Sequence, residues 1–449
     1  MLTKTTTDAA PLAAANPDAL LVRELGVRQL AANIFNYTVG SGIFALPALA
    51  VAQLGSAAPL AYVACAVVMA LVVLCFAEAG SRVSATGGPY AYVEAALGPF
   101  IGFIAGCLVF TTGLSAAAAV CALFVRTLLR LLPAIPASLT SVLIVLIVSV
   151  LVFVNVRGIK TSARVLEGIT IAKLLPLLAF VLLGVAFIEP SNLALQELPA
   201  MSAVLGTAGV IIFAFAGIEG AMIPSGEVRN PSRTVPRAVF LALGTATLLY
   251  LAIQFVALGV QGLALAEDPT TPLATVAGTV LGPAARTVML VGAVISMFGY
   301  LSANILSEPR GLFAFSRDRF LPQVLAMVHP RFRTPGIAII TYGVMVAGLA
   351  LTGSFERLLI FANLTVLLLY FLCAIAALLL RRRNVRTDGE PFLIPGGATV
   401  PVLACAALVW LAYETARTNL DQFKVLGLVF AVIVALFGLR ELRLRRQAT

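Results

Sequence analysis

Charged residues are scarce in this sequence: Asp, Glu, Lys and Arg make up 11% of its 449 residues, where a soluble globular chain carries about a quarter. Histidine is scarcer still, since His329 stands alone in a basic loop and reads as a surface residue. No HExxH, Walker A or GxSxG sequence occurs, which excludes zincin, P-loop and serine-hydrolase chemistry of the usual kinds. No nucleophile–base pair or metal-ligand cluster supports an intramembrane enzyme, so no catalytic residue, cofactor or metal is expected. The soluble nucleotide domain of an ATP-driven pump is missing as well. Six cysteines (Cys65, Cys75, Cys107, Cys121, Cys373 and Cys405) all lie in apolar runs without CxxC spacing, and read as small buried hydrophobes rather than a disulfide or zinc framework. Nothing marks a cleavable signal peptide, because the first 22 residues are polar and the first apolar run is far too long for a signal core.

Apolar sequence fills the space that charge leaves. Hydrophobic residues make up 61% of the chain and the mean hydropathy is +1.04. Length alone suggests about three soluble domains, but uncharged runs extend from end to end. A helix needs about 20 apolar residues to cross a bilayer. Residues 29–77 are long enough for two spans with a turn at Gly55 to Pro59. Single spans are expected near 95–125, 131–156, 168–188, 198–226, 238–266, 287–307, 334–355, 358–380, 391–413 and 425–439. The sequence therefore predicts an all-α polytopic membrane protein of about twelve transmembrane helices. A β-barrel is excluded, because its strands are about ten residues long and alternate in polarity.

The net charge of +10 does not indicate nucleic acid, since the basic residues sit in short clusters between apolar runs. They report orientation instead. Of the 30 Lys and Arg, 23 fall in the N-terminal segment, every second loop and the C-terminal tail. The opposite loops and helix ends hold six: Arg126, Arg130, Arg286, Arg357, Arg417 and Lys424. The positive-inside rule places both termini in the cytoplasm, with tails over 1–28 and 440–449.

Two spans carry an interruption. The first reads Tyr37-Thr38-Val39-Gly40-Ser41-Gly42-Ile43-Phe44, with Pro47 beyond. Gly and Pro weaken a helix interior. An unwound turn there frees N–H groups at the start of a half-helix, a suitable seat for a carboxylate. Small residues at that point equally suit a close helix–helix contact. The sixth span repeats the anomaly as Phe213-Ala214-Phe215-Ala216-Gly217-Ile218-Glu219-Gly220, followed by Pro224 and Gly226. Two interrupted spans, each opening a set of five, are the mark of an inverted-repeat transporter. A channel filter needs rings of carbonyls or charges, which two unlike breaks in one chain do not form.

Two charges fall inside spans. Glu219 is costly in hydrocarbon unless it is paired, protonated or faces a cavity. It reads as a structural acid on free N–H groups, as a proton site, or as a contact for a cationic substrate. Lys173 lies nine residues past Arg164, roughly 13 Å into its span and near the middle of a core about 30 Å thick. It reads as a fixed cation holding the carbonyls of an unwound helix, as a proton-coupling amine, or as a snorkelling side chain.

Four segments give the chain a resemblance to a known family. They are Gly40 to Phe44; Gly87-Gly88-Pro89-Tyr90-Ala91-Tyr92 through Gly98 to Gly102-Phe103; Phe213 to Glu219; and Glu227 to Ala238, with Ser316 to Pro322 as a weaker fifth. In this order they resemble the amino acid–polyamine–organocation (APC) family of permeases. The resemblance implies a LeuT-like five-plus-five inverted-repeat core with spans 1–5 in residues 29–188, spans 6–10 in 198–380, and two accessory spans in 391–439. It implies secondary transport of amino acids or related amines by alternating access in the cell membrane. The expected carrier is sodium-independent and works as a proton symporter or an exchanger, including a cationic amino acid or polyamine antiporter. The alternatives are a channel or a non-transporting membrane scaffold. In such a site Gly40, Ser41, Gly42 and Ile43 would hold the substrate carboxylate through N–H groups of the last three. Phe213, Ala214 and Ala216 would hold its ammonium through their carbonyls, with Gly217 beside them in the site and Phe213 and Tyr300 as aromatic gates. Lys173 looks like the fifth-span lysine of sodium-independent members, and Glu219 matches an acid that some members use in coupling or substrate choice. The sequence departs from the family at Cys107, where many members carry tryptophan, which puts side-chain selectivity in doubt. No nucleic-acid partner is expected, and the oligomeric state is not readable.

The charge pattern yields a direct test. A periplasmically active reporter fused after residue 386 should be silent, and the same reporter fused after residue 421 should be active. Activity in the reverse order would contradict the orientation.

Overall fold

The computed structural model describes residues 25–448, apart from 84, 86, 159–162, 196, 224–227, 318 and 387–388. The described chain is helical, and the only strand-like pairing among the described residues is an isolated bridge between Leu25 and Val228. Seventeen helices follow in order: α1 Val27–Thr38, α2 Gly42–Leu54, α3 Ala58–Arg82, α4 Pro89–Leu97, α5 Pro99–Leu131, α6 Thr140–Val156, α7 Ala163–Gly184, α8 Met201–Phe215, α9 Ile218–Ala221, α10 Pro231–Gln261, α11 Pro272–Leu281, α12 Pro283–Ser307, α13 Pro309–Arg317, α14 Gly336–Thr352, α15 Phe355–Arg382, α16 Thr399–Thr418 and α17 Leu420–Ala448.

Ten stretches among the described residues are long and apolar enough to cross a bilayer. One of them, Gly42–Arg82, holds both α2 and α3 around a turn at Gly55–Ala57, the position expected from the sequence. The count of twelve spans meets ten such stretches and two shorter apolar helices, α11 and α14. With 17 residues, α14 rises about 26 Å, just under the thickness of the hydrocarbon core. The span expected over 391–413 begins later, at Thr399. Gly396 (φ 81°) and Gly397 (φ 66°) hold the left-handed conformation that keeps the chain out of a helix up to that point.

Burial separates an inner from an outer layer. Within an 18-residue apolar window, 72% of the residues are buried in Pro99–Leu131 and 67% in Phe355–Arg382, but only 17% in Ala137–Val156 and 11% in Leu420–Leu442. Helices α5 and α15 therefore form the centre, and α6 and α17 the rim. The rim exposes large apolar side chains such as Val142, Leu146, Phe153 and Leu428. In water each would forgo about 25 cal/mol for every Å² left unburied; against lipid there is no such loss. The protein is a multi-pass membrane protein on these grounds.

Two half-helix pairs cross at the centre. The first break runs from the end of α1 at Thr38 to the start of α2 at Gly42; the second separates α8 from the single-turn α9. Gly217 sits in that second break at φ 121°, which favours glycine. A Cβ on Gly217 would lie 2.8 Å from the carbonyl of Tyr37, and one on Gly42 would lie 2.8 Å from the Cα of Ala214. Each break thus presses a glycine onto the backbone of the other.

A buried ion pair closes one end of the bundle. Arg82 binds Glu78 at 2.7 Å, with both side chains almost fully buried. The other Glu78 oxygen accepts the N–H of Ile394, and Arg82 donates to the carbonyl of Val385. These bonds pin the segment before α16 onto the end of α3.

Gly42→Ala and Gly217→Ala should each destabilise the purified protein by about 2 kcal/mol or more, because the added methyl meets backbone rather than a movable side chain. Gly244→Ala, where a Cβ meets nothing within 4 Å, is the control and should leave thermal unfolding unchanged. Equal melting temperatures for all three variants would refute the interlocked crossing.

Candidate functional site

A broken helix leaves backbone groups without their i to i+4 partners, and in a membrane interior each must find another. At the first break the carbonyls are claimed by distant side chains. The Lys173 ammonium, on α7 and 2% exposed, donates to the carbonyls of Asn36 at 3.1 Å and Val39 at 2.8 Å. Ser296 Oγ, on α12, donates to the carbonyls of Val39 and Gly40. Thr170 and Asn36 exchange a side-chain bond one turn away. The Tyr250 hydroxyl of α10 lies 2.9 Å from the carbonyls of both Thr38 and Ala214, so one side chain caps the ends of α1 and α8 together.

The donors at the same break are left open. The N–H groups of Ser41, Gly42 and Ile43, at the start of α2, meet no acceptor among the described residues. Across from them the carbonyls of Phe213 and Ala216 accept no bond from the described chain, while Ala214 is held by Tyr250. Glu219 lies on the short turn beyond. Both of its oxygens face the N–H of Gly217 at 3.0 Å, and one accepts the Tyr370 hydroxyl of α15 at 2.7 Å.

These groups face a cavity of about 40 Å³, room for a few water-sized positions. Its walls include Gly40, Ser41, Gly42, Phe213, Ala216, Gly217, Glu219 and Tyr300. Those eight expected site residues are brought together. Ile43, Ala214 and Lys173 do not line the cavity; Ile43 and Ala214 are packed in the core, and Lys173 lies behind the break that it holds. Phe213 meets Phe355 edge-on, and Tyr300 meets Tyr37 edge-on. Cys107 is buried outside the cavity, and all six cysteines are free. His329 accepts the N–H groups of Arg331 and Phe332 through Nδ1 in a loop turn. Pro224, Gly226 and Glu227, which belong to the expected sixth-span break and the motif after it, lie outside the described residues.

The structure adds residues that the sequence did not single out. Tyr250, Ser296 and Tyr370 act through partners 36 to 257 positions away. Asn363 donates to the carbonyls of Gly209 and Val210 and shows its oxygen, unpartnered, to the cavity. Glu308 supplies a second carboxylate to the wall. A buried tyrosine hydroxyl or an acid at a span end is too common in a sequence to signal a site.

The amino acid permease family profile matches residues 25–437. An uncharacterized transporter of Mycobacterium tuberculosis is 34% identical, with 96% of this chain and 94% of that protein covered. The methylthioribose transporter of Bacillus subtilis is 26% identical over 95% of this chain and 96% of its own length. The branched-chain amino acid permease of the same organism is 25% identical, with 97% of both chains covered.

The shared cap generates a paired test. Tyr250→Phe should cost about 1–2 kcal/mol, since two buried carbonyls lose their donor. Tyr62→Phe removes a hydroxyl that is equally buried but has no partner and should cost less. Thermal unfolding of the two variants compares them, and equal losses would mean that the Tyr250 bonds contribute nothing.

Proposed function

Since the chain belongs to the amino acid permease family, we propose that it is a carrier of amino acids in the cell membrane, with both termini in the cytoplasm. One observation carries this reading: the open N–H groups of Ser41 and Gly42 stand across one cavity from the open carbonyls of Phe213 and Ala216. A zwitterion has the matching pattern, an anion that seeks donors and an ammonium that seeks acceptors. Backbone groups at helix ends bind both without the desolvation cost of two further side-chain charges. The cavity is small, so a substrate side chain enters only when the walls, Phe213 and Tyr300 among them, move. Alternating access follows when the two crossed half-helix pairs rock against the surrounding helices. The repeats proposed for this motion are residues 29–188 and 198–380, with 391–439 as accessory spans.

Lys173 supports sodium independence. Its ammonium occupies the carbonyls that a cation would otherwise hold together at the first break. As an amine it can also exchange a proton, which makes proton symport or exchange the fitting modes. The relatives are named for substrates as different as methylthioribose and branched-chain amino acids, so the substrate class is taken from the site rather than from any one relative. Glu219 is already bonded to Gly217 and Tyr370 and acts in this reading as a proton or substrate contact of the second break.

Reconstituted into liposomes, the protein should take up or exchange labelled amino acids without sodium. Lys173→Ala should reduce transport at least about tenfold, because two carbonyls at the break, those of Asn36 and Val39, lose a donor in a dry environment. No transport of any amino acid would sink the reading. Unchanged transport by the Lys173 variant, or a strict sodium requirement, would sink the role given to that lysine.

A further inference from the structure

Two carboxylates share the cavity, and only one is compensated. Glu219 accepts hydrogen bonds from Gly217 and Tyr370. Glu308, at the junction of α12 and α13 and 7% exposed, accepts none from the described residues. Its neighbours are spoken for. Asn304 donates to the carbonyl of Gly113 and accepts the Tyr342 hydroxyl, and Tyr37 bonds Ser307. The carboxylate packs directly on the facing turn of α5, where a Cβ on Gly113 would lie 2.6 Å from Glu308 Cδ and push the acid aside.

Among the described residues the cavity has no resident positive charge. None of its lining residues is basic. Lys173 is engaged on the carbonyls of Asn36 and Val39, and Arg310, next to Glu308, is exposed and turned back onto the carbonyl of Leu306. Three more buried oxygens at the wall, Asn363 Oδ1, Ser41 Oγ and Thr38 Oγ1, have no partner. Two carboxylates and the amide oxygen of Asn363 are acceptors, so a ligand that brings donors and positive charge complements them.

We propose that Glu308 binds the distal cation of the substrate, and that the protein selects dibasic amino acids, those with an ammonium or guanidinium on the side chain. The inference rests on the amino-acid carrier reading above. The α-carboxylate and α-ammonium take the backbone groups of the two breaks, and the side chain runs past Glu219 to Glu308. A guanidinium or ammonium placed there forms charge-assisted bonds in a desolvated setting, where they are strongest. A neutral side chain of the same shape leaves the acid buried and unpaired, which is the larger part of the discrimination.

The test measures binding of L-arginine and of its uncharged isostere L-citrulline to the full-length protein in detergent. Arginine should bind at least about tenfold more tightly than citrulline. Glu308→Gln should bring that ratio close to one, by weakening arginine and, with no acid left unpaired, tightening citrulline, and Glu308→Asp, which keeps the charge, should retain a preference for arginine. Equal binding of the two ligands by the wild type, or a preference that survives Glu308→Gln, overturns the proposal. A Glu308→Gln variant that shifts only the pH profile of transport also overturns it, by making Glu308 a proton site. Binding of citrulline and other neutral amino acids without preference sinks this inference alone; binding of no amino acid sinks the carrier reading with it.

Discussion

Unpaired backbone groups in a medium without water are the constraint on which this structure depends. Two helices stop and restart at the centre of the bundle, and every carbonyl and N–H released there must be answered. The protein answers the two kinds differently. Carbonyls at the first break are bound by the chain's own side chains, Lys173, Ser296 and Tyr250. The N–H groups at the start of α2 are left to the cavity. The asymmetry makes a site out of what would otherwise be a defect.

The side chains that close the first break come from three different helices, α7, α10 and α12. They hold it as spokes hold a hub. Tyr250 also reaches the end of α8, so the two breaks cannot separate without losing a bond. The mutual contacts at Gly42 and Gly217 add a steric lock to that polar tie. Packing and hydrogen bonding here enforce the same geometry, the consistency expected of a well-specified fold.

Much of this was legible in the sequence, and the reason differs from residue to residue. The breaks were readable because glycine within an apolar run is a local signal: Gly40, Gly42 and Gly217 needed no knowledge of the rest of the chain. Lys173 and Glu219 stood out because a charge inside a span is rare and costly. Glu308 did not, since it sits at the end of α12, where an acid is unremarkable by position. Its burial depends on α5 and Gly113, 195 positions away. Tyr250, Ser296 and Tyr370 were hidden for the same reason, because their roles exist only once distant helices are brought together. The exact number of spans was less legible, because α14, with 17 residues, falls just under the length that crosses a bilayer.

The ammonium of Lys173 has a consequence that follows from its being part of the chain. A free ion at those carbonyls would come and go with its concentration in either compartment. A tethered one has a local concentration set by the length of its own side chain, whatever the medium contains. The carbonyls of Asn36 and Val39 are thereby insulated from the ionic composition on both sides of the bilayer.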